Sequence, residues 1–161
     1  MKPNEKSIKN TPKIFEALKV INPGWKYSLE LGGWVISWDE EVGFITKVSE
    51  DRDKVYFQTS DGYSIVYEID YITPLLSWEE IEIIINKDYN LAIRAIYNTR
   101  NNKKYLCLIA RRDSIIFEDQ VKGEASTRQQ AVEEAIIKLG EKITRVKKME
   151  RLENIKHGQL N

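Results

Sequence analysis

The stretch ITPLLSWEE, residues 72–80, marks the point where the chain changes its architecture. Strand-like alternation ends at Pro74, and Ser77-x-x-Glu80 has the pattern of a capping box, with serine at the N-cap and glutamate at the third helical position. This pattern predicts a helix that runs to about residue 87. The change also predicts a boundary between two small packed units.

Residues 1–24 are predicted to form a tail and a short helix, and residues 25–76 a β unit. Thr11 followed by Pro12 is typical of an N-cap and the first helical position, which predicts a helix over residues 12–21. In the β unit, several short alternating runs are separated by polar turns. Such spacing indicates a small, strongly bent antiparallel barrel.

Residues 77–161 are predicted to fold as α-β-β-β-α with a basic C-terminal tail. The three strands are predicted at residues 91–97, 105–110 and 115–117. Ser126 to Gln129 is a second capping box that begins the longest helix, which is predicted to fray from about residue 147. Gly140 within this helix indicates a kink or a close packing contact, at a cost of up to about 1 kcal/mol relative to alanine. The predicted fold class is α+β: a helix and a small antiparallel β-barrel, then an αβββα two-layer sandwich.

The charge of the chain is divided by position. The net charge is zero, but it is +3 over residues 1–24, −8 over residues 25–87 and +5 over residues 88–161. The acidic part is expected to repel nucleic acid, whereas the basic part can attract it. The sequence has no apolar run long enough to predict a membrane span, so we expect a cytoplasmic protein that does not bind a membrane.

The few reactive side chains argue against an enzyme. The single cysteine, Cys107, excludes an intramolecular disulfide, and we expect it to be buried because it lies within an apolar strand pattern. The single histidine, His157, lies in the polar C-terminal region, which removes most histidine-dependent catalysis and metal binding. The acidic loops at residues 39–41 and 50–53 lack the ligand spacing of a calcium loop. We therefore expect a non-enzymatic protein without a cofactor or a metal ion.

The strand rhythm of the β unit resembles that of SH3-like barrels of the KOW and Tudor kind. The resemblance covers about residues 32–76 and rests on Gly43 to Val48, Val55 to Phe57, Asp61-Gly62 and Tyr67 to Ile69. It implies a barrel whose aromatic side chains can form a cage for a cation or a groove for a peptide.

The αβββα order, with GEASTRQQA at residues 123–131, resembles two families. One is the double-stranded-RNA-binding domain: Gly123 matches its turn glycine and Thr127 lies near its serine, but only Arg128 retains a basic side chain where that family holds phosphates. The other, which is the better match, is the group of small αβα-sandwich proteins of phages and prophages. That resemblance implies an accessory protein in a bacterial host cell, with antagonism of host defence among its roles.

Binding to another protein is the preferred function, and its contacts are expected at loops and outward rings of the β unit. The candidate contact residues are Trp38, Asp39, Glu40, Glu41, Tyr56 and Tyr63. A small barrel needs large rings to fill its core. The alternation assigns that core to Trp34, Ile36, Trp38, Phe57 and Ile65.

Binding of double-stranded RNA or another nucleic acid through the basic half is the alternative function. Its candidate contacts are Arg100, Lys103, Lys104, Arg111, Arg112 and Arg128. Such binding depends on contacts with phosphates and therefore weakens steeply as salt rises.

One face of the predicted three-stranded sheet is left open by the two helices. Its apolar residues Ile96, Leu106 and Leu108 are expected to form an interface, because a face of that kind seldom stays in water. The expected occupant is the barrel or a second copy of the chain in a homodimer.

Overall fold

The computed structural model describes the backbone of residues 5–97, 102–113 and 120–158, and the side chains in these ranges except those of residues 5–10 and 97. In this part of the chain, three α-helices and eight strands with antiparallel pairing confirm the α+β class. The elements are α1 (Glu5–Ile21), β1 (Trp34–Ser37), β2 (Val42–Val48), β3 (Lys54–Thr59), β4 (Ser64–Glu68), a 3-10 turn (Ile69–Tyr71), β5 (Ile72–Pro74), α2 (Trp78–Asn86), β6 (Tyr89–Tyr97), β7 (Lys103–Arg111), β8 (Val121–Ala125) and α3 (Arg128–Gly158).

Packing divides the chain into two compact units. The first contains Met1–Phe15 and Trp25–Ile81, and the second contains Glu16–Gly24 and Glu82–Asn161. The chain therefore passes from one unit to the other within α1 and again within α2.

The first unit is built on one antiparallel sheet in the strand order β4-β3-β2-β1-β5. Within residues 34–74, all of which are described, β4 pairs only with β3 and β5 only with β1, so the hydrogen-bond ladder does not close the predicted barrel. β5 has only three residues, and Pro74 among them has no N–H, so its free edge offers few backbone groups for a second ladder. β4 is instead connected to the turn after β1 by a side-chain hydrogen bond from Tyr67 to Asp39.

The core of the first unit consists of Val35, Ile45, Val55, Phe57 and Ile72. The predicted core is correct for Phe57 and for Ile65, which packs against this cluster, and Ile36 is buried outside it. It is wrong for the two tryptophans. Trp34 lies opposite Phe44 with ring centroids 5.8 Å apart, and Trp38 lies in solvent.

The position of Gly43 is consistent with Val35, and not Trp34, facing the core of the first unit. Gly43 is buried and lies between Val35 and Thr59 in the ladder, and a Cβ atom here would lie 2.5 Å from the Phe57 ring. The Phe57 ring occupies the space that a side chain would need, and the residues in register with Gly43 face the core. A register shift between Ile45 and Lys47 then changes the parity of the rest of β2.

Helix α1 begins earlier than the Thr11-Pro12 pair predicts. It starts at Glu5, and Pro12 lies inside it. Proline removes one backbone hydrogen bond of a helix, so an internal proline is a cost that other contacts must outweigh. The buried side chains that follow Pro12 supply these contacts; they are Ile14, Phe15, Ala17, Leu18 and Ile21.

From α2 onwards the chain has the predicted α-β-β-β-α order, and in the second unit helix α3 packs on β7 and β8 of the sheet β6-β7-β8. The strand predicted at 115–117 lies outside the described residues, and the third strand of the structure is β8. Gly123 belongs to β8 and not to a turn, which corrects the match to the turn glycine. A Cβ atom at Gly123 would lie 2.6 Å from the backbone nitrogen of Ala135, so glycine lets α3 lie directly on the strand.

The helix ends confirm one capping box and correct the other. At α2 the Ser77 backbone N–H donates to the Glu80 carboxylate at 2.7 Å, and the Glu80 N–H donates to Ser77 Oγ at 3.2 Å. At α3 the N-cap is Thr127 and not Ser126, since the Gln130 N–H donates to Thr127 Oγ1 at 3.2 Å.

Helix α3 is also longer than predicted, because it continues to Gly158. Its last turns are rich in lysine, arginine, glutamate, leucine and methionine. These residues have high intrinsic helix propensity, which explains why the basic region does not fray at about residue 147.

Candidate protein-binding site

The turn between β1 and β2 is fixed by hydrogen bonds to Ser37. The Ser37 N–H donates to the Glu41 carbonyl at 2.9 Å, the Glu40 N–H donates to the Ser37 carbonyl at 3.0 Å, and the Glu41 N–H donates to Ser37 Oγ at 3.0 Å. Glu40 has φ = 67°, in the left-handed region that a tight turn requires. The four residues of the turn therefore have a defined backbone.

The carboxylate of Asp39 ties this turn to β4. It accepts a short hydrogen bond from Ser37 Oγ, and the Tyr67 hydroxyl lies 2.7 and 2.6 Å from its two oxygens. The hydrogen bond from Ser37, followed by that from Tyr67, lowers the pKa of Asp39, because both stabilise the charged carboxylate. Burial, followed by the bond to Asp39, raises the pKa of Tyr67. At neutral pH the pair is a carboxylate with a phenol donor, which is a stable arrangement.

Trp38 lies at the top of this turn with its backbone held and its ring in solvent. Its N–H donates to the carbonyl of Tyr71 at 2.9 Å, and 70% of the residue's surface is exposed. The Tyr71 ring, whose residue is 50% exposed, lies 6.5 Å away between ring centroids. Two adjacent exposed rings on a fixed backbone can bind a partner with little loss of backbone entropy.

Acidic residues lie close in sequence to the two rings. Glu40, Glu41 and Asp70 are exposed neighbours of Trp38 and Tyr71 along the chain. The whole segment from residue 25 to residue 87 carries a net charge of −8. The rings and carboxylates together suit a partner segment that contains lysine or arginine.

Tyr63 lies at the same end of the ladder, whereas Tyr56 has a different environment. Tyr63 lies in the turn after β3. The last residue of β3, Thr59, pairs with Gly43 near the start of β2, so this turn is at the same end of the sheet as the turn between β1 and β2. Tyr63 is well exposed. Tyr56 is half-buried beneath Lys47, whose Nζ lies 5.4 Å from the ring centroid. Tyr63 therefore extends the candidate surface, and Tyr56 does not add a free ring to it.

Sequence reasoning did not single out Tyr71 as a contact residue. Its ring joins Trp38 only because the 3-10 turn brings its carbonyl to the Trp38 N–H. Nothing in the spacing of the aromatic residues indicates that contact.

The basic residues of the nucleic-acid alternative that the structure describes do not cluster in one place. Arg100 lies outside the described residues. Lys103 and Lys104 begin β7, whereas Arg111 ends it, and eight residue steps along a strand span about 27 Å. Arg112 follows Arg111 directly.

Two of the described basic side chains also have contacts within the chain. Lys103 Nζ lies 5.1 Å above the Tyr105 ring, and Lys104 Nζ lies 3.7 Å from a carboxylate oxygen of Glu124. Arg128 begins α3 shortly after the end of β8, and that end of β8 pairs with the start of β7, where the two lysines lie. The described basic residues are thus divided between the two ends of the sheet.

The residues predicted as a further interface share one face of the β6–β7 pair. Ile96 lies opposite Lys104, and Leu106 and Leu108 follow along β7 on the same face. All three are half-buried, while Cys107 and Ile109 on the other face are fully buried.

The remaining reactive groups are structural. Burial raises the pKa of the Cys107 thiol to about 11, so it stays protonated at neutral pH. Ser49 Oγ donates to Asp53 at 2.7 Å and lowers the pKa of that carboxyl, and the acidic loop is held by its own hydrogen bonds. Among the residues that the structure describes, no group of three or more histidine, cysteine or acidic side chains could hold a metal ion.

Two further findings concern the chain as a whole. None of the helices in the described ranges combines the length and apolar character needed to cross a bilayer. No protein-family model, curated protein or solved structure matches the sequence or fold. Function is therefore inferred from the chain's own residues.

Proposed function

We propose that this is a non-enzymatic binding protein that acts through protein–protein contacts, and that Trp38 is the centre of its contact surface. The observation that carries the proposal is the exposure of 70% of Trp38 on a turn whose backbone is held by hydrogen bonds. The fitting partner is a segment with lysine or arginine side chains.

The energetic argument starts from the area of the two rings. Burying a large aromatic side chain contributes about 2–3 kcal/mol, and tryptophan and tyrosine dominate the binding energy of many interfaces. The hydrogen bonds of Ser37 and the bond between Tyr67 and Asp39 hold the turn before a partner arrives. The entropy cost of binding is reduced accordingly.

The charge argument selects the chemistry of the partner. An arginine side chain can stack on an exposed indole and pair with a carboxylate at the same time. Glu40 and Glu41 provide such carboxylates next to Trp38. Phosphates would be repelled from this surface, so nucleic acid does not suit it.

The phage-type accessory role, including antagonism of a host defence system, remains a prediction from the resemblance alone. The cytoplasmic location is a separate proposal, which rests on the single cysteine and not on the resemblance. Neither is needed for the binding surface at Trp38.

The test is a selection of displayed random peptides on the full-length protein, followed by titration of the selected peptides against two variants. Trp38→Ala removes the proposed contact, and Leu31→Ala is the matched control because Leu31 is equally exposed, at 70%, in the same unit. We expect selected peptides rich in arginine and lysine, with binding weakened roughly tenfold or more by Trp38→Ala. We expect Leu31→Ala to bind as the wild type does.

Two results would contradict the proposal. One is a set of selected peptides without basic residues, and the other is equal affinity of the wild type and Trp38→Ala. Tight, strongly salt-dependent binding of duplex RNA or DNA that Trp38→Ala leaves unchanged would favour the alternative function.

A further inference from the structure

The C-terminal half of α3, which we call the outer segment, comprises residues 144–158. The first half of the helix buries Ala131, Val132, Ala135, Ile136, Leu139 and Gly140. In contrast, every residue of the outer segment is exposed. Fifteen helical residues have a length of about 22 Å. These four turns gain almost nothing from burial within the chain, although tertiary burial is what stabilises most helices in proteins.

Four large apolar side chains lie on this exposed segment. Val146, Met149, Leu152 and Ile155 have between 47% and 64% of their surface exposed. The last three of them, together with Glu153 and Lys156, line an open, shallow depression on the surface of the helix. Large apolar side chains that stay exposed together on one helix make it a candidate interaction site.

The spacing of the four side chains limits what can cover them. They recur at every third residue, and three residues turn a helix through about 300°, so the row moves backwards by about 60° at each step. From Val146 to Ile155 it passes about halfway round the helix.

This winding row disfavours two occupants. A coiled coil with a second copy of the chain needs apolar residues every 3.5 residues on average, along one seam. A membrane surface needs one apolar face parallel to the helix axis. A row at three-residue spacing is instead a ridge inclined to the axis, and such a ridge packs against a helix that crosses it at an angle.

The charges of the outer segment select the chemistry of the crossing helix. The segment has five lysine and arginine residues and two glutamates, a net charge of +3. Arg145 lies one turn before Met149, and Lys148 and Lys156 lie one turn before and one turn after Leu152. Three basic side chains therefore flank the middle of the ridge, where Glu153, one turn after Met149, is the one acidic residue at the same spacing. Nucleic acid would leave the four apolar side chains unused.

From these observations we propose that the outer segment of α3 binds an acidic amphipathic helix of a partner protein. The apolar side of that helix lies across Met149 and Leu152, and its glutamate and aspartate residues pair with Arg145, Lys148 and Lys156. This surface is opposite in charge to the one at Trp38. The inference does not depend on the function proposed for Trp38.

The test uses two labelled synthetic helical peptides with the same leucine pattern, one with glutamate and one with lysine at every polar position. Their fluorescence anisotropy is titrated with the full-length protein. We expect saturable binding of the glutamate peptide, weakened by salt, and much weaker binding of the lysine peptide. Met149→Ser/Leu152→Ser should weaken binding of the glutamate peptide roughly tenfold or more.

Three control variants complete the design. Ile83→Ser replaces another strongly exposed apolar residue, on α2, and should leave binding unchanged. Trp38→Ala should also leave it unchanged, which separates this surface from the first. Arg145→Glu/Lys148→Glu keeps the apolar ridge and should shift the preference towards the lysine peptide, so the proposal stays testable if the double serine variant loses helix content.

Several outcomes would overturn the proposal. They include no binding of the glutamate peptide, equal binding of both peptides, and no effect of either double variant. Self-association that Met149→Ser/Leu152→Ser abolishes in sedimentation velocity would assign the ridge to a second copy. Flotation with phosphatidylcholine–phosphatidylserine vesicles, lost in the same variant, would assign it to a lipid surface.

Discussion

Replacing Gly140 with alanine is the substitution for which helix propensity and the structure predict opposite signs. Glycine inside a helix is less favourable than alanine by about 1 kcal/mol, so propensity alone predicts that Gly140→Ala stabilises the protein. In the structure, a Cβ atom at Gly140 would lie 2.7 Å from Cβ and 2.9 Å from Cα of Ala17 on α1. Glycine is therefore what allows α1 and α3 to approach so closely.

The magnitude follows from the distance that the helices must move. Carbon atoms pack at about 3.5–4.0 Å, so the new methyl group requires a separation of about 1 Å. Overpacking a well-filled core costs about 1–3 kcal/mol, and here it acts beside the buried Leu18 and Leu139. After the gain in propensity, we expect the free energy of unfolding to fall by about 1 kcal/mol in Gly140→Ala and by about 3 kcal/mol in Gly140→Val.

Urea unfolding followed by far-ultraviolet circular dichroism measures this change. All four tryptophans lie in the first unit, so tryptophan fluorescence, recorded in parallel, reports on the other part of the chain. Gly158→Ala is the matched control, because it lies in the same helix and nothing is within 4 Å of its added Cβ atom. We expect the effects of Gly140→Ala and Ala17→Gly to be non-additive when combined, since removing the Ala17 methyl group relieves part of the clash. A stabilisation of about 1 kcal/mol by Gly140→Ala would refute the reasoning.

Three further predictions concern other parts of the chain. Hydroxyl hydrogen bonds lower the pKa of Asp39, so its contribution to stability is complete above the ordinary aspartate value of about 3.9 and is lost as pH falls through the lower folded value. Asp39→Asn should therefore lower the urea midpoint more at pH 7 than in acid below that folded value, and a difference that does not change with pH would contradict this. The Cys107 thiol, with a pKa of about 11, should react with a thiol reagent at pH 8 at least about 100-fold more slowly in the native than in the unfolded protein, and equal rates would show that it is accessible. Ser77→Ala removes half of the reciprocal cap with Glu80 and should cost about 1 kcal/mol in urea unfolding, whereas Ser77→Thr should cost less, and equal losses would argue against the cap.

Local patterns predicted the order of elements well, because they depend on neighbouring residues. The Ser77 box is an example, since its two hydrogen bonds join residues three positions apart. The same kind of pattern misplaced the start of α3 by one residue, because Ser126 and Thr127 are both good N-cap residues and only the backbone decides between them.

Strand parity could not be predicted, because alternation shows that a strand has two faces but not which face is buried. In β1, both faces carry apolar residues, and Val35 and not Trp34 faces the core. The buried face is the one that contains Gly43 on the neighbouring strand, because the Phe57 ring occupies the space next to it. Contacts of this kind join distant residues and leave no periodic signal.

The candidate site was predicted in part for the same reason. Trp38 and the acidic residues after it were selected because they lie in a loop, and the structure places that loop on the surface. Tyr67 holds the turn through Asp39, and Tyr71 places a second ring beside Trp38. Both residues lie about thirty positions further along the chain. Their role depends on the curvature of the sheet.

The division of α1 between the units has a practical consequence for anyone who maps the two proposed surfaces. A truncated chain that starts at Ser77 lacks Ala17, Leu18 and Ile21, three buried residues of the second unit. The surface of α3 around Gly140, which packs against Ala17, would then be exposed. Loss of binding in such a fragment would report a damaged core and not a missing contact. Point substitutions on exposed residues, made in the intact polypeptide, are the sound way to assign each surface.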